Sequence, residues 1–166
     1  LQNRVSPEGD IVANPSRGDM LGNRGGCFHR DDQTLRPKHW ASRQWICCVL
    51  SFKGRRRSVF APGLYTELFF LDEATALAAG HRPCFECRRD DAKRFANSWA
   101  EVRGAATPPS APAMDLDLHA ERLNADHTKR VERRQLADTP NGAFVRWQGK
   151  PHLVHNRVLL AWTFHG

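Results

Sequence analysis

The stretch "AAGHRPCFECRRDD" (residues 78–91) sets two thiols two residues apart where one helix ends and another begins. Upstream, Asp72 stands as an N-cap before "EATALAA". Gly80 is placed to end that helix in the left-handed conformation that side chains disfavour. Pro83 lacks a backbone N–H and prevents the helix from resuming. Downstream, Ala92, Phe95, Ala96 and Trp99 recur at helical spacing as an apolar stripe, with Lys93 and Arg94 on the other face. Cys84 and Cys87 therefore sit on a fixed turn between two helices.

Several chemistries use such a pair. A redox disulfide gains from the helix that follows, which lowers a thiol pKa, but the βαβ setting of a thioredoxin-like site is missing. Covalent haem attachment fails because Arg88, not His, follows Cys87. Two exposed thiols with no role would be a liability. Zinc fits best, since two thiolates on a tight turn form half of a tetrahedral site. The other half must come from Cys27, His29, Cys47 or Cys48. "RQWICCVLSF" (43–52) reads as a strand buried on both faces, and successive strand residues point to opposite sides. One of Cys47 and Cys48 is thus a ligand and the other a core residue. "GNRGGCFHRDD" is a glycine-rich loop able to bring Cys27 or His29 inward.

The chain has 166 residues, with 25 Lys and Arg against 18 Asp and Glu, for a net charge of +7. That excess suits a polyanionic partner such as nucleic acid. No apolar run reaches the length of a membrane span and no signal-peptide pattern opens the sequence, so the expected location is cytoplasmic. There structural disulfides are disfavoured, as the odd count of five cysteines also suggests.

Residues 1–44 are rich in Gly, Pro, Asn and Asp and read as mostly loop, with a short strand near Ile11 and Val12. "SVFAPGLYTELFF" supplies one or two strands after the "KGRRR" turn. "RGAATPPSAPA" (103–113) reads as a linker. A long charged helix is expected from Asp115 to Leu136, with Leu116, Ala120 and Leu123 on one face. "AFVRW", "HLVH" and "VLLAWTF" read as a three-stranded meander. The class is α+β: small antiparallel sheets with short helices around a zinc site, plus the long helix and a C-terminal β-meander. The expected organisation is a zinc module over 1–102, the linker, and a helix-and-meander appendage over 114–166.

"ELFFLDEATALAAGHRPCFEC" (67–87) resembles the metal-binding domain of Ada, the bacterial protein that repairs methylated DNA phosphotriesters. In that family a strand ending in paired aromatics leads into an alanine-rich helix, and a Gly-aromatic-Arg-Pro-Cys-x-x-Cys turn supplies two of four zinc thiolates. Phe69, Phe70, Ala74, Ala78, Gly80, Arg82, Pro83, Cys84 and Cys87 match this pattern, while His81 replaces the aromatic. The resemblance spans residues 65–95. The family's earlier Cys-x-x-x-Cys half-site is absent, so methyl acceptance is not expected. "LGNRGGCFH" is similar to a variant that places a histidine in the first half-site, which favours His29. The ligand set that follows is His29, Cys48, Cys84 and Cys87, with Cys27 and Cys47 as the respective substitutes.

Arg55, Arg56 and Arg57 form a basic tip on an expected hairpin, and Arg82, Arg88 and Arg89 surround the cysteine turn. Fixed donors of this kind contact phosphates, DNA being favoured over RNA. Asp115 and His119 stand one helical turn apart with Glu121 nearby, a spacing that can serve general-base catalysis or be an ordinary helical pair. His152 and His155 fall on opposite faces of a strand and read as structural. The expected function is a zinc protein with a nucleic-acid-binding surface. Its alternatives are a zinc-dependent enzyme acting on nucleic acid (hydrolase or methyl-accepting repair protein) and a structural zinc module for protein interaction.

Overall fold

The structure is a computed structural model that describes residues 1–56 and 58–166. In chain order the elements are β1 (Gln2–Val5), β2 (Ile11–Ala13), β3 (Met20–Arg24), β4 (Trp45–Val49), β5 (Leu68–Phe70), α1 (Glu73–Ala78), β6 (Arg82–Pro83), α2 (Arg89–Val102), α3 (Ala111–Arg122), β7 (Phe144–Trp147), β8 (Lys150–His155) and β9 (Val158–Ala161). The class is α+β, as expected.

Both ends of α1 follow their residues. The Asp72 carboxylate accepts from the Thr75 N–H at 2.7 Å. At the other end Gly80 adopts φ +88°, and two backbone bonds close the helix. The Gly80 N–H donates to the Leu77 carbonyl at 2.9 Å and the His81 N–H to the Ala76 carbonyl at 3.0 Å, the paired bonds of a Schellman motif. A Cβ at Gly80 would also lie 3.3 Å from Cδ of Arg122, a tight contact added to the strain of the left-handed backbone.

That turn delivers β6 to the edge of a six-stranded sheet ordered β2-β1-β5-β3-β4-β6. The sheet is mixed, not antiparallel as the sequence suggests. β4 and β6 run parallel through Ile46↔Arg82 and Cys47↔Pro83, and β1 and β5 pair in parallel at Arg4↔Phe69. Each parallel pair joins strands separated by a long stretch of chain, the condition that parallel pairing needs. The N-terminal region contributes three strands rather than one. Their Gly-, Asn- and Arg-containing sequences have no clean alternation, and pairing partners hold them instead. Inside the sheet, Val5, Phe28, Cys47, Leu68, Phe70 and Ala76 form the core.

The C-terminal meander is present as read, with β7-β8-β9 antiparallel through Phe144↔Leu153 and Leu153↔Leu160. The long helix is not. α3 begins inside the expected linker, capped by the Ser110 hydroxyl, and stops at Arg122 instead of Leu136. Beyond it Asp126 accepts from the Thr128 N–H and hydroxyl at 3.0 and 2.7 Å, and the Asn124 amide donates to Thr128 Oγ1 at 3.0 Å. These local bonds offer the backbone a turn that competes with helix. The buried face also differs: it carries Met114, Asp115 and Arg122, while Leu116 is half exposed. No helix among the described residues is long and apolar enough to cross a membrane.

α3 docks through a buried ion pair. Arg82 Nε and Nη2 each donate to the Asp115 carboxylate at 2.7 Å, and Arg82 Nη1 donates to the Pro83 carbonyl at 3.1 Å. Arg82 is 1% exposed and Asp115 5%. Asp115→Asn leaves that guanidinium buried without its counter-charge, so it is expected to cost about 3 kcal/mol of stability in denaturant unfolding. Replacing both partners with apolar residues (Arg82→Met with Asp115→Leu) should recover most of the loss.

Candidate metal centre

Strand alternation sorts the two adjacent cysteines of β4. Cys47 points into the core and is fully buried, while Cys48 faces the other side of the sheet. The register of β3 aligns Cys48 with Leu21 and Leu21 with Phe69, so these three form one row on that outer face. Asn23 opposite Ile46 starts the next row, which Glu67 completes when the β3–β5 register is continued by one residue.

β6, paired beside β4, then brings the cysteine turn over this face. The Cys84 N–H donates to the Cys47 carbonyl at 3.0 Å, which fixes the height of the turn. The Sγ atoms of Cys48, Cys84 and Cys87 all lie within 4.8 Å of one another. Tetrahedral zinc, with Zn–S near 2.3 Å, sets its sulfurs about 3.8 Å apart, so the trio needs only a small contraction to grip the ion. The Glu86 N–H also donates to Cys84 Sγ at 3.4 Å, a bond that stabilises a thiolate.

The thiols respond to one another. The Cys48 S–H bond to Cys84, ahead of opposing burial, holds Cys84 down to about 5. The same bond, with burial second, pushes Cys48 well up, and burial raises Cys87. The bare trio thus concentrates one negative charge on Cys84. A bound cation is what lets all three ionise together.

The sequence set His29, Cys48, Cys84 and Cys87 is only partly assembled. His29 stacks on Phe60 at 4.7 Å between centroids, and both of its ring nitrogens are engaged. Nε2 meets the Ala61 carbonyl at 3.3 Å and Nδ1 meets the Thr66 hydroxyl at 2.8 Å. That hydroxyl also accepts from the Phe28 N–H at 2.9 Å, which ties His29 into the core rather than the thiol group. Its substitute Cys27 lies beside it, with Sγ 3.8 Å from Nδ1. Neither joins the three-cysteine group, and nor does Cys47, whose thiol receives Arg88 Nη1 at 2.9 Å.

The basic residues divide. Arg82 is committed to Asp115, and the buried Arg88 bonds Glu73 at 2.5 Å and Asp91 at 2.7 Å, so neither offers a surface donor. Arg55 pairs with Glu86 at 2.5 Å. Arg56 and Arg89 are exposed, and Arg57 falls outside the described residues. Among the catalytic candidates, Asp115 spends both oxygens on Arg82 and does not orient His119. His119 meets the rings of Trp40 and Trp45, with Nδ1 buried and without a partner, and exposed Glu121 pairs with Arg103.

A cavity of about 350 Å³ opens directly on the three cysteines, lined also by Asn23, Ile46, Tyr65 and Glu67. Glu67 is 4% exposed; its Oε2 accepts from the Phe60 N–H at 2.9 Å, while Oε1 has no partner among the described residues. Sequence reasoning passed over Glu67, although "YTELFF" sets it two residues before Phe69 and hence on the same strand face.

No protein-family model matches the chain, and neither does any curated protein or any solved structure.

Cys48→Ser is expected to abolish stoichiometric zinc, measured by elemental analysis of protein purified without chelators. Cys47→Ala should keep the metal and lose only packing stability, about 1 to 2 kcal/mol.

Proposed function

We propose that this chain is a zinc protein in which Cys48, Cys84 and Cys87 hold the ion and a fourth ligand enters from the adjoining cavity. The observation that carries this reading is the convergence of three thiols on the wall of a pocket, with no fourth protein donor in the group among the described residues. Three protein ligands and an outside fourth is the arrangement of zinc sites that act on bound molecules, whereas purely structural sites are closed. The ion supplies a Lewis-acidic position for a water or a substrate oxygen.

Glu67 gives this reading a catalytic side. Cys48 and Glu67 stand two strands and two residues apart, a Cα separation of about 12 Å on sheet spacings, too far for Glu67 to complete the metal shell. The gap suits a small bound group that touches both, with Oε1 of Glu67 taking up or returning its proton. This favours the zinc-dependent enzyme over the closed interaction module. Cobalt-substituted protein tests it: thiolate-to-metal bands should report three sulfurs, and added azide should shift the visible bands. Glu67→Gln should change azide affinity several-fold while leaving metal content intact. A spectrum indifferent to azide, with four protein ligands, would make the site structural.

Contact with nucleic acid, DNA ahead of RNA, is supported by the net charge of +7. With Arg82 and Arg88 buried and Arg55 paired, the remaining donors of the expected set among the described residues are Arg56 and Arg89. The double substitution Arg56→Ser with Arg89→Ser is expected to weaken binding of a duplex oligonucleotide and to reduce its salt slope by about two charges. An unchanged slope would remove this surface from the interface.

A further inference from the structure

A second, larger cavity of about 700 Å³ sets buried cations among the apolar side chains of its wall, Ile11, Trp45 and Phe144 among them. Arg24 comes from β3, Arg122 from the end of α3, and Lys129 from the turn beyond it. Arg24 is 3% exposed and Arg122 7%. Both guanidiniums lie over the Trp45 ring, at 4.0 and 4.5 Å from its centroid.

Their hydrogen bonds leave a donor over. Arg24 donates to the Gly9 carbonyl at 2.8 Å and to His81 Nε2 at 3.4 Å. Lys129 donates to the Pro7 and Ala78 carbonyls. Arg122 reaches the Leu118 carbonyl at 2.9 Å and the Arg43 carbonyl at 3.5 Å, but its Nη2 is buried with no partner among the described residues. These acceptors are neutral, so they satisfy N–H groups without balancing charge.

The charge count points to the ligand. The cavity wall carries four permanent cations, Arg24, Arg122, Lys129 and Arg146, against two carboxylates, Glu8 and Asp10. Arg146 and Glu8 neutralise each other. Three cations then face Asp10, an excess of two positive charges. The strain is visible in the cations: burial, then mutual repulsion, holds Arg24 down to about 9, Lys129 to about 8 and, through burial first, Arg122 to about 10. Buried like charges are costly unless a counter-ion joins them.

We propose that this cavity is a binding site for a phosphate monoester, whose dianion is held by Arg122, Arg24 and Lys129. A tetrahedral dianion matches the excess of two charges and accepts from donors converging from three elements. The volume exceeds what inorganic phosphate fills, which leaves room for the esterified group. The ester can belong to a free phosphorylated molecule or to the terminal phosphate of a nucleic acid strand. The site is separate from the cysteine centre and does not depend on metal there.

The test is direct binding by phosphorus NMR and calorimetry to full-length protein. The probes are inorganic phosphate, a nucleoside monophosphate, and one oligonucleotide with either a 5′-phosphate or a 5′-hydroxyl. Phosphate and the monoesters are expected to bind and to raise the melting temperature. Arg122→Met should weaken them about tenfold or more without lowering the melting temperature of the unliganded protein, because an uncompensated charge is removed. Lys129→Met serves as the second variant should Arg122→Met fold poorly. A clear preference for the 5′-phosphorylated strand over its hydroxyl form and over the mononucleotide assigns the ester to nucleic acid ends, and parity with the mononucleotide assigns it to free molecules. Absence of binding by every phosphate probe at millimolar concentration overturns the site, as does stabilisation by phosphate that persists unchanged in both variants.

Discussion

The Arg82–Asp115 pair ties the cysteine turn to the rest of the molecule. Arg82 is a residue of the edge strand β6, so its backbone is fixed by β4, while its side chain is fixed by a carboxylate arriving from α3. Two parallel bonds to one carboxylate define an orientation as well as a distance. With its neighbour Pro83 held in register against Cys47, the next residue, Cys84, has little freedom in height or direction. The same pair brings α3 close enough for Arg122 to lie against Gly80, so one buried interaction positions both the thiols and the wall of the larger cavity.

Two centres of opposite electrical character result. On the outer face of the sheet, three thiols gather where a cation would settle. Around Trp45, guanidiniums and an ammonium gather where an anion would. Each is a local imbalance that the polypeptide alone leaves unresolved, and imbalances of this kind are characteristic of places that meet a ligand. The core beneath them, built from Val5, Leu68, Phe70 and Ala76, is ordinary by comparison.

Where a rule of local chemistry had no rival, it could be read from the residues. The cap at Asp72, the stop at Gly80 and the apolar stripe of α2 depend on neighbours in sequence, and all are present. Strand alternation separated Cys48 from Cys47 for the same reason. The failures share a cause too. Leu116, Ala120 and Leu123 looked like a buried face by composition, but burial on α3 is decided by the long-range partners Arg82 and Trp45, which recruit Asp115 and Arg122 instead. His29 lay in a suitable loop, yet Phe60 and Thr66 claim it from far along the chain, Thr66 being 37 positions away. Arg82 and Arg88 looked like surface donors because a string of arginines is usually solvated. Nothing local says that Arg82 finds a carboxylate inside, or that Arg88 is itself buried and reaches out to Glu73 and Asp91.

The adjacent cysteines of β4 have a consequence for folding fidelity. A strand that slips by one residue against its neighbour turns every side chain to the other face, and a unique ligand would then be lost to the core. A slip in one direction would merely exchange Cys47 for Cys48, so an ion could be captured in that alignment too. Metal capture is therefore blind to the error. Discrimination falls to Gly22 on β3, where a Cβ would stand 2.4 Å from the Ile46 carbonyl oxygen and 2.7 Å from the Phe70 ring. Gly22 is thus what lets β3 lie this close to its two neighbours, and an alignment that set a residue with a Cβ in its place would meet that carbonyl and ring.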